Sequence, residues 1–467
     1  MKLHFLGANR QVTGSRYCLE VAGRQVMIDC GMFQERQFEY RNWDRSPVAP
    51  GELSALLLTH VHIDHCGLLP KLVKEGFAAP IHTTRPSAAL LEIMLRDSAK
   101  IQIEDAQYKQ KRHAKQGRQA KFSYEPLYGE ADVDRTLPLV QACGYGEEVA
   151  VAPGITARFF DAGHILGSAM IQIDATENGT TRRIVFSGDI GQWDKPIIRD
   201  PSLLSQADYV VMESTYGDRN HERAGDIETQ LAQVIGETVA RGGNVVVPTF
   251  AVERAQELVY YIGRLARAGR IPPLPVFLDS PMAVDVTAIY ARFHDYVDEA
   301  MLNMINSNQP PLRFPSLTMT RTADESKAIN RVHQPCIIMA SSGMCNAGRI
   351  KHHLKANLER PESTILFVGH QAQGTLGRQI LDKSRRVRIH GRDFTLRAKI
   401  AQIYGFSGHA DHGGLLRWIG HFEPRPRQMF LTHGEEDVSL KLADELGAKL
   451  GIAVAVPHYQ EVVELAM

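Results

Sequence analysis

The sequence predicts an α/β protein of two or three compact units built largely on parallel strands. Three observations carry that reading. Its 467 residues exceed one ordinary domain. Leu56 to Leu58 form a short, uniformly apolar run, the pattern of a parallel strand covered on both faces. From about residue 218 onward, buried-strand patterns alternate with helical ones, as in a parallel sheet wrapped by helices.

Composition narrows the class. An apolar content of 44% with 23% charged residues is that of a soluble globular protein. Formal net charge is zero, so a polyanion would have to be gripped by local basic patches rather than by an overall field. No window approaches the ~20 apolar residues of a membrane span. Met1 to Gly7 leads straight into a strand without a signal-peptide core, which predicts a cytoplasmic protein with no membrane partner. The six cysteines are scattered without a C-X-X-C pair and read as buried, reduced thiols. Cys66, next to His65 on a helix, is expected to face away from it.

In chain order, residues 2–7, 16–22 and 25–29 read as strands, the third ending at Asp29. After the apolar run come His60, His62, Asp64 and His65, four metal-capable side chains within six residues. In extended backbone His60 and His62 point the same way and can share an ion. Asp64 and His65 open a helix expected to run to Glu75 and stop at Gly76, which turns them toward a second ion. One histidine on a loop is usually incidental; this density after a buried strand predicts a metal site. A helix is expected over 86–105. The basic run behind it (Lys109, Lys111, Arg112, His113, Lys115, Arg118, Lys121) reads equally as a solvated face or a polyanion contact. Further on, strand ends deliver His164, Asp189 between glycines, and Glu213.

At these residues the chain resembles the metallo-β-lactamase superfamily, defined by His-X-His-X-Asp-His. The resemblance implies a four-layer αβ/βα sandwich with a two-metal centre at one edge. It assigns His60, His62 and His164 to one ion and Asp64 and His65 to the other, with Asp189 bridging them. Asp29 becomes a group that orients the metal-binding loop rather than a ligand. The spelling from Asp208 to Arg219 resembles the β-CASP branch, which includes the 3′-end-processing endonucleases of the cleavage and polyadenylation machinery, their short bacterial homologues, ribonuclease J and certain DNA-repair nucleases. That branch inserts a parallel α/β domain here, giving expected boundaries of 1–217 and 391–467 for the sandwich and 218–390 for the insertion.

In the insertion, strands are expected at 244–248, 275–278, 336–340 and 364–368. The loops after them place small residues before helix starts, where free N–H groups suit phosphate oxygens. None is a Walker A loop. Taken one at a time they read as tight turns; their resemblance to β-CASP motifs implies RNA contacts at Ser342, Arg349, Thr375 and Arg378, with no role assigned to His370. The returning segment carries His409, which the resemblance pairs with Glu213, and His433, which completes the second metal. DNA-acting members usually have valine there, so a histidine implies RNA.

The ligand chemistry suits two Zn2+, although Mn2+ or Fe also fit. Bridged by Asp189, such ions would lie about 3.5–4 Å apart and position water for in-line attack on phosphorus. Asp64 and Asp189 are therefore expected to serve catalysis as well as metal binding, and His409, charged by Glu213, to protonate the leaving 3′ oxygen. The expectation is a zinc-dependent ribonuclease acting on single-stranded RNA, as endonuclease, 5′-3′ exonuclease or both, leaving 5′-phosphate and 3′-hydroxyl ends. The alternatives are a DNA nuclease of the same branch, a binuclear hydrolase of small esters or thioesters, and a non-catalytic scaffold. Oligomeric state is left open, a homodimer among the options.

Overall fold

Strand Ile155–Asp161 alternates buried and half-buried residues along its whole length, the period of a sheet face packed on another layer. It belongs to a seven-stranded sheet ordered Ala453–Ala455, Gln428–Thr432, Tyr209–Glu213, Thr180–Phe186, Ala169–Glu177, Ile155–Asp161, Glu148–Ala152. A second seven-stranded sheet runs Glu461–Glu464, Lys2–Gly7, Arg16–Val21, Arg24–Ile28, Leu53–Leu57, Ile81–Thr84, Val140–Cys143. Between them lies one apolar core, with Phe5, Leu19, Ile28 and Leu57 from one sheet against Phe159, Ile171, Phe186 and Phe430 from the other. Each such side chain contributes roughly 1.5–3 kcal/mol by burial. The other face of the first-named sheet packs Val210, Met212 and Leu431 against Trp418 and Leu442 of helices His412–Ile419 and Glu436–Leu450. Helix Arg85–Gln116 packs against Ile81–Thr84 and Val140–Cys143. The layers are helix, sheet, sheet, helix: the αβ/βα sandwich.

This computed structural model describes residues 1–116, 124–221, 227–369 and 371–467. The chain divides into two units, the first made of Met1–Asp194, Asp200–Asn220 and His409–Met467, the second of Lys195–Arg199 and His221–Gly408. The second unit holds an all-parallel sheet in the order Leu317–Met319, Val276–Leu278, Ile337–Ala340, Val245–Pro248, Thr364–Phe367, Lys399–Gln402. Its four central strands fall where the apolar runs predict them. The two edge strands are less buried and less apolar, and leave no such signature. Lys399–Gln402 also moves a boundary. It pairs with Thr364–Phe367, so residues 391–408, expected in the returning part of the sandwich, belong to the second unit.

Two helices differ from expectation. The helix expected to run to Glu75 is broken into Ile63–Cys66 and Leu69–Lys74, because Pro70 has no N–H to give to the Cys66 carbonyl. The helix expected to end at 105 continues to Gln116, since Lys, Gln and Arg are good helix formers whether or not they are buried. Lys109, Lys111, Arg112, His113 and Lys115 therefore lie on that helix. Arg118 and Lys121 lie outside the described residues, as does His370. Among the described residues, no helix is long and apolar enough to cross a membrane.

Asp279, directly after strand Val276–Leu278, is fully buried. Its Oδ1 accepts from Thr320 and from Arg349 Nη1 (2.7 Å), its Oδ2 from Ser326 (2.6 Å) and His353 Nε2 (2.6 Å). Burial would raise its pKa, but the hydrogen bonds from His353, Ser326, Thr320 and Arg349 outweigh it and hold the carboxyl well below the usual range. A depressed carboxylate lends stability above its unfolded pKa of about 3.9 and loses it as pH falls. Denaturant unfolding should therefore show stability from this cluster declining below about pH 4. Asp279→Ala should cost about 3–5 kcal/mol at pH 7 by leaving Arg349 and His353 without their buried partner.

Candidate metal centre

The loop after strand Leu53–Leu57 is pinned by backbone bonds from two earlier segments. Ser15 N–H reaches Asp64 O (2.8 Å), Cys30 N–H reaches His65 O (2.7 Å) and Met32 N–H reaches Ile63 O (2.9 Å). Gly31 makes this possible, since a Cβ there would sit 1.6 Å from the Asp64 carbonyl oxygen. Asp29 adds a side-chain clamp. Its Oδ1 accepts the Thr59 N–H at 2.8 Å, and its Oδ2 faces His65 Nδ1 at 2.8 Å. The aspartate thus touches the imidazole and not the space in front of it. Cys66 points away, its Sγ donating to Val61 O. All six cysteines are free and buried.

Two sets of donor atoms converge beyond this clamp. In the first, His62 Nδ1 lies 3.1 Å from both His60 Nε2 and His164 Nε2, and Asp189 Oδ2 lies 3.4 and 3.5 Å from those two. In the second, His65 Nε2 lies 3.2 Å from His433 Nε2 and 3.3 Å from Asp189 Oδ1. His433 Nε2 in turn lies 3.4 Å from Asp64 Oδ2 and 3.5 Å from Asp189 Oδ1. A tetrahedral zinc site with bonds of 2.0–2.1 Å has edges of roughly 3.3–3.4 Å. Both sets match that spacing, and Asp189 gives one oxygen to each. Among the described residues Asp189 Oδ1 is buried with no hydrogen-bond partner, a costly state unless positive charge sits beside it. The residues fit a pair of cations.

Electrostatics agrees. Burial pushes His60 down to about 3, His62 to about 4 and His164 well below its usual value, so these rings are neutral and offer lone pairs. For His65 and His433 burial is outweighed by Asp189, joined by Asp29 for His65 and Asp64 for His433, and both are pushed up. Protons gather where the acids demand positive charge, and a metal ion would replace them.

His409 stands beside this cluster. Its Nδ1 lies 3.1 and 3.2 Å from the two oxygens of Glu213, and Glu213 Oε1 also accepts the Ile190 N–H (2.6 Å). Burial would lower the imidazole, but Glu213 and then Asp189 raise it to about 9. The structure thus gathers His60, His62, Asp64, His65, His164, Asp189, Glu213, His409, His433 and Asp29 into one region of the first unit. Sequence reasoning overlooked the hydroxyls. Thr59 Oγ1 contacts His60 Nδ1 (3.1 Å) and Asp29, and Thr215 Oγ1 contacts His433 Nδ1 (3.0 Å). Thr59 adjoins His60 in the chain and Thr215 follows Glu213 by two residues; a search for imidazoles and carboxylates passes over both.

The four residues expected to contact RNA lie in the second unit and are partly committed elsewhere. Arg349 pairs with Asp279 and donates Nη2 to Arg321 O (2.7 Å). Thr375 caps helix Leu376–Leu381 by accepting the Arg378 N–H (3.1 Å). Ser342 is half-buried, and Arg378 makes a helix-surface pair with Asp382 (2.9 Å).

Comparison with known proteins decides the family. Residues 13–144 match the metallo-beta-lactamase superfamily, residues 255–380 the Beta-Casp domain, and residues 393–457 the Zn-dependent metallo-hydrolase RNA specificity domain. The chain is 38% identical to "Ribonuclease TTHA0252" of Thermus thermophilus, over 99% of either chain. It belongs to the β-CASP branch of the metallo-β-lactamase superfamily. Another β-CASP relative is "Transcription termination factor FttA" of Methanosarcina mazei, 31% identical over 98% of this chain and 71% of that one. In fold, the β-CASP chain is also similar to a solved protein of unknown function from Enterococcus faecalis, with a TM-score of 0.57, 12% identity and 99% of both chains covered.

Asp29 gives the site a direct test. Asp29→Ala frees His65 Nδ1 and the Thr59 N–H without removing a donor to the cations. Metal affinity, read by chelator competition, should fall about 10–100-fold.

Proposed function

We propose that this chain is a zinc-dependent ribonuclease that hydrolyses phosphodiester bonds of single-stranded RNA. The observation that carries the reading is a pair of tetrahedrally spaced donor sets sharing Asp189, next to an imidazole paired with a buried carboxylate. The full-length relative named a ribonuclease supports the choice of RNA, as does a histidine rather than valine at position 433. In this reading His60, His62, His164 and Asp189 hold one Zn2+, and Asp64, His65, His433 and Asp189 the other.

Bound there, the cations would supply Lewis-acid charge to the phosphoryl oxygens and make water acidic enough to attack near neutral pH. The protein's own groups do the rest. Asp189 and Asp64 fix where that charge sits. Asp29, Thr59 and Thr215 hold the imidazoles in one orientation and one tautomer. Glu213 keeps His409 protonated through Nδ1, so the proton on the other ring nitrogen is the one available to the leaving 3′ oxygen. Water adds to phosphorus as the P–O3′ bond breaks, leaving a 5′-phosphate and a 3′-hydroxyl. Ser342 and Arg378 are the RNA contacts we retain in the second unit, while Arg349 and Thr375 shape the loops that present them. Six buried free thiols accord with a cytoplasmic setting.

Zinc-loaded protein offered labelled single-stranded RNA, single-stranded DNA and a thioester should cut the RNA. Cleavage of the thioester alone, or of DNA in preference to RNA, retires the proposal. His409→Ala should keep both metals by elemental analysis while cleavage falls about 10²–10⁴-fold; loss of a metal would show that His409 is a ligand. Product mapping on RNA bearing a 5′-monophosphate or a 5′-triphosphate should separate internal cutting from attack at the 5′ end.

A further inference from the structure

The second unit carries a small antiparallel hairpin, Arg386–Ile389 with Arg392–Thr395. From residue 383 to residue 399 the chain places seven Lys or Arg residues against a single acid, Asp393, in a protein of zero net formal charge. Strand alternation buries Val387 and Ile389 and turns Arg386 and Arg388 outward. The Arg388 side chain is 72% exposed; its Nη2 donates to Gly391 O in the turn (3.2 Å), and Asp393 is a loose 3.9 Å from its Nε. Among the described residues no carboxylate pairs with Arg386 or Arg392. Glu359 accepts the Thr395 N–H (3.0 Å) at the opposite end of the hairpin.

A second element adds to this charge. Helix Ile350–Asn357 lies beside the turn, with the rings of His352 and His390 5.2 Å apart. Lys351 and Lys355 stand on the same helix. Both histidines are pushed below the ordinary imidazole value, first by partial burial and then by these lysines. Cations from two separate elements thus converge without matching acids, and such a grouping repels itself until a polyanion arrives. Among the described residues no large apolar side chain is exposed there to suit a hydrophobic partner.

We propose that Arg388, His390 and Arg392 of the hairpin, with Lys351, His352 and Lys355 of the helix, form a docking surface for the phosphate backbone of RNA. The choice of RNA rests on the ribonuclease reading; the charge convergence does not. A chain with no net charge can hold a polyanion only through local surfaces of this kind. The contacts would position a strand and carry no sequence information.

The test combines Arg388→Ala, Arg392→Ala and Lys355→Ala in the full-length chain carrying His409→Ala, so that RNA is bound without being cut. Affinity for an unstructured, labelled RNA about 30 nucleotides long is measured by anisotropy against salt; at about 0.7 per lost contact, the log–log slope should shallow by about 2. The advantage of the parent over the triple variant should then shrink about twentyfold between about 50 mM and 200 mM salt. A charge-preserving triple (Arg388→Lys, Arg392→Lys, Lys355→Arg) should restore the slope, and thermal melting should be alike for all three proteins. An unchanged slope with unchanged affinity overturns the docking surface, and so does a slope that the charge-preserving triple fails to restore. In the chain with His409 intact, the alanine triple should raise KM for the same RNA. If the chain with His409 and the surface both intact cuts no RNA although the slope changes as expected, the ribonuclease reading fails and the surface stands. If it cuts RNA while the slope stays the same, the surface fails and the ribonuclease reading stands.

Discussion

A buried carboxylate with one oxygen left unsatisfied among the described residues sets the terms for the first unit. Asp189 sits at the end of strand Thr180–Phe186, almost wholly buried, with Oδ1 facing His65 and His433 and Oδ2 facing His60 and His164. Burying such a charge without compensation costs several kcal/mol. The surrounding backbone concentrates it further. Gly191 lets the chain pass where a Cβ would lie 1.6 Å from Gly163 O, next to His164. Segments far apart in sequence are thereby held around one space, and the only compensation that satisfies all their facing lone pairs together is cationic.

The second unit contains the informative contrast. Asp279 likewise follows a strand and is equally secluded, yet four donors from Arg349, His353, Ser326 and Thr320 complete it. Its charge is answered from within the protein, and nothing further is required of it. Among the described residues Asp189 is faced at 3.3–3.5 Å by rings that themselves crowd one another at 3.1–3.2 Å. Seclusion alone does not separate a structural acid from a working one; the state of its lone pairs does.

Legibility from the sequence follows the same physics. The metal-capable cluster was readable because His60, His62, Asp64 and His65 are dense along the chain and follow an apolar run. His164, Asp189, Glu213, His409 and His433 carry weak local signals, and their partnership is fixed by which strands adjoin. Tyr209–Glu213 lies between Thr180–Phe186 and Gln428–Thr432, so three strand ends meet although the last of them is far along the chain from the other two. Family resemblance supplied that adjacency; periodicity could not. The edge strands Leu317–Met319 and Lys399–Gln402 escaped because partly exposed strands need no apolar run. Thr59 and Thr215 escaped because a hydroxyl that orients an imidazole looks like any other threonine.

Arg349 shows how a residue expected to contact RNA can also carry a structural commitment of its own. It stands at the start of helix Ile350–Asn357, where a phosphate contact was expected, but its guanidinium closes the Asp279 network and reaches back to Arg321 O. Moving it onto a phosphate would take one of four donors from a buried carboxylate, at a cost comparable to what a phosphate contact returns. Contacts to a polyanion in the second unit therefore fall more naturally to exposed cations that no buried acid depends on. A chain of zero net charge can then hold RNA and keep its own buried acids satisfied, because the two tasks are given to different side chains.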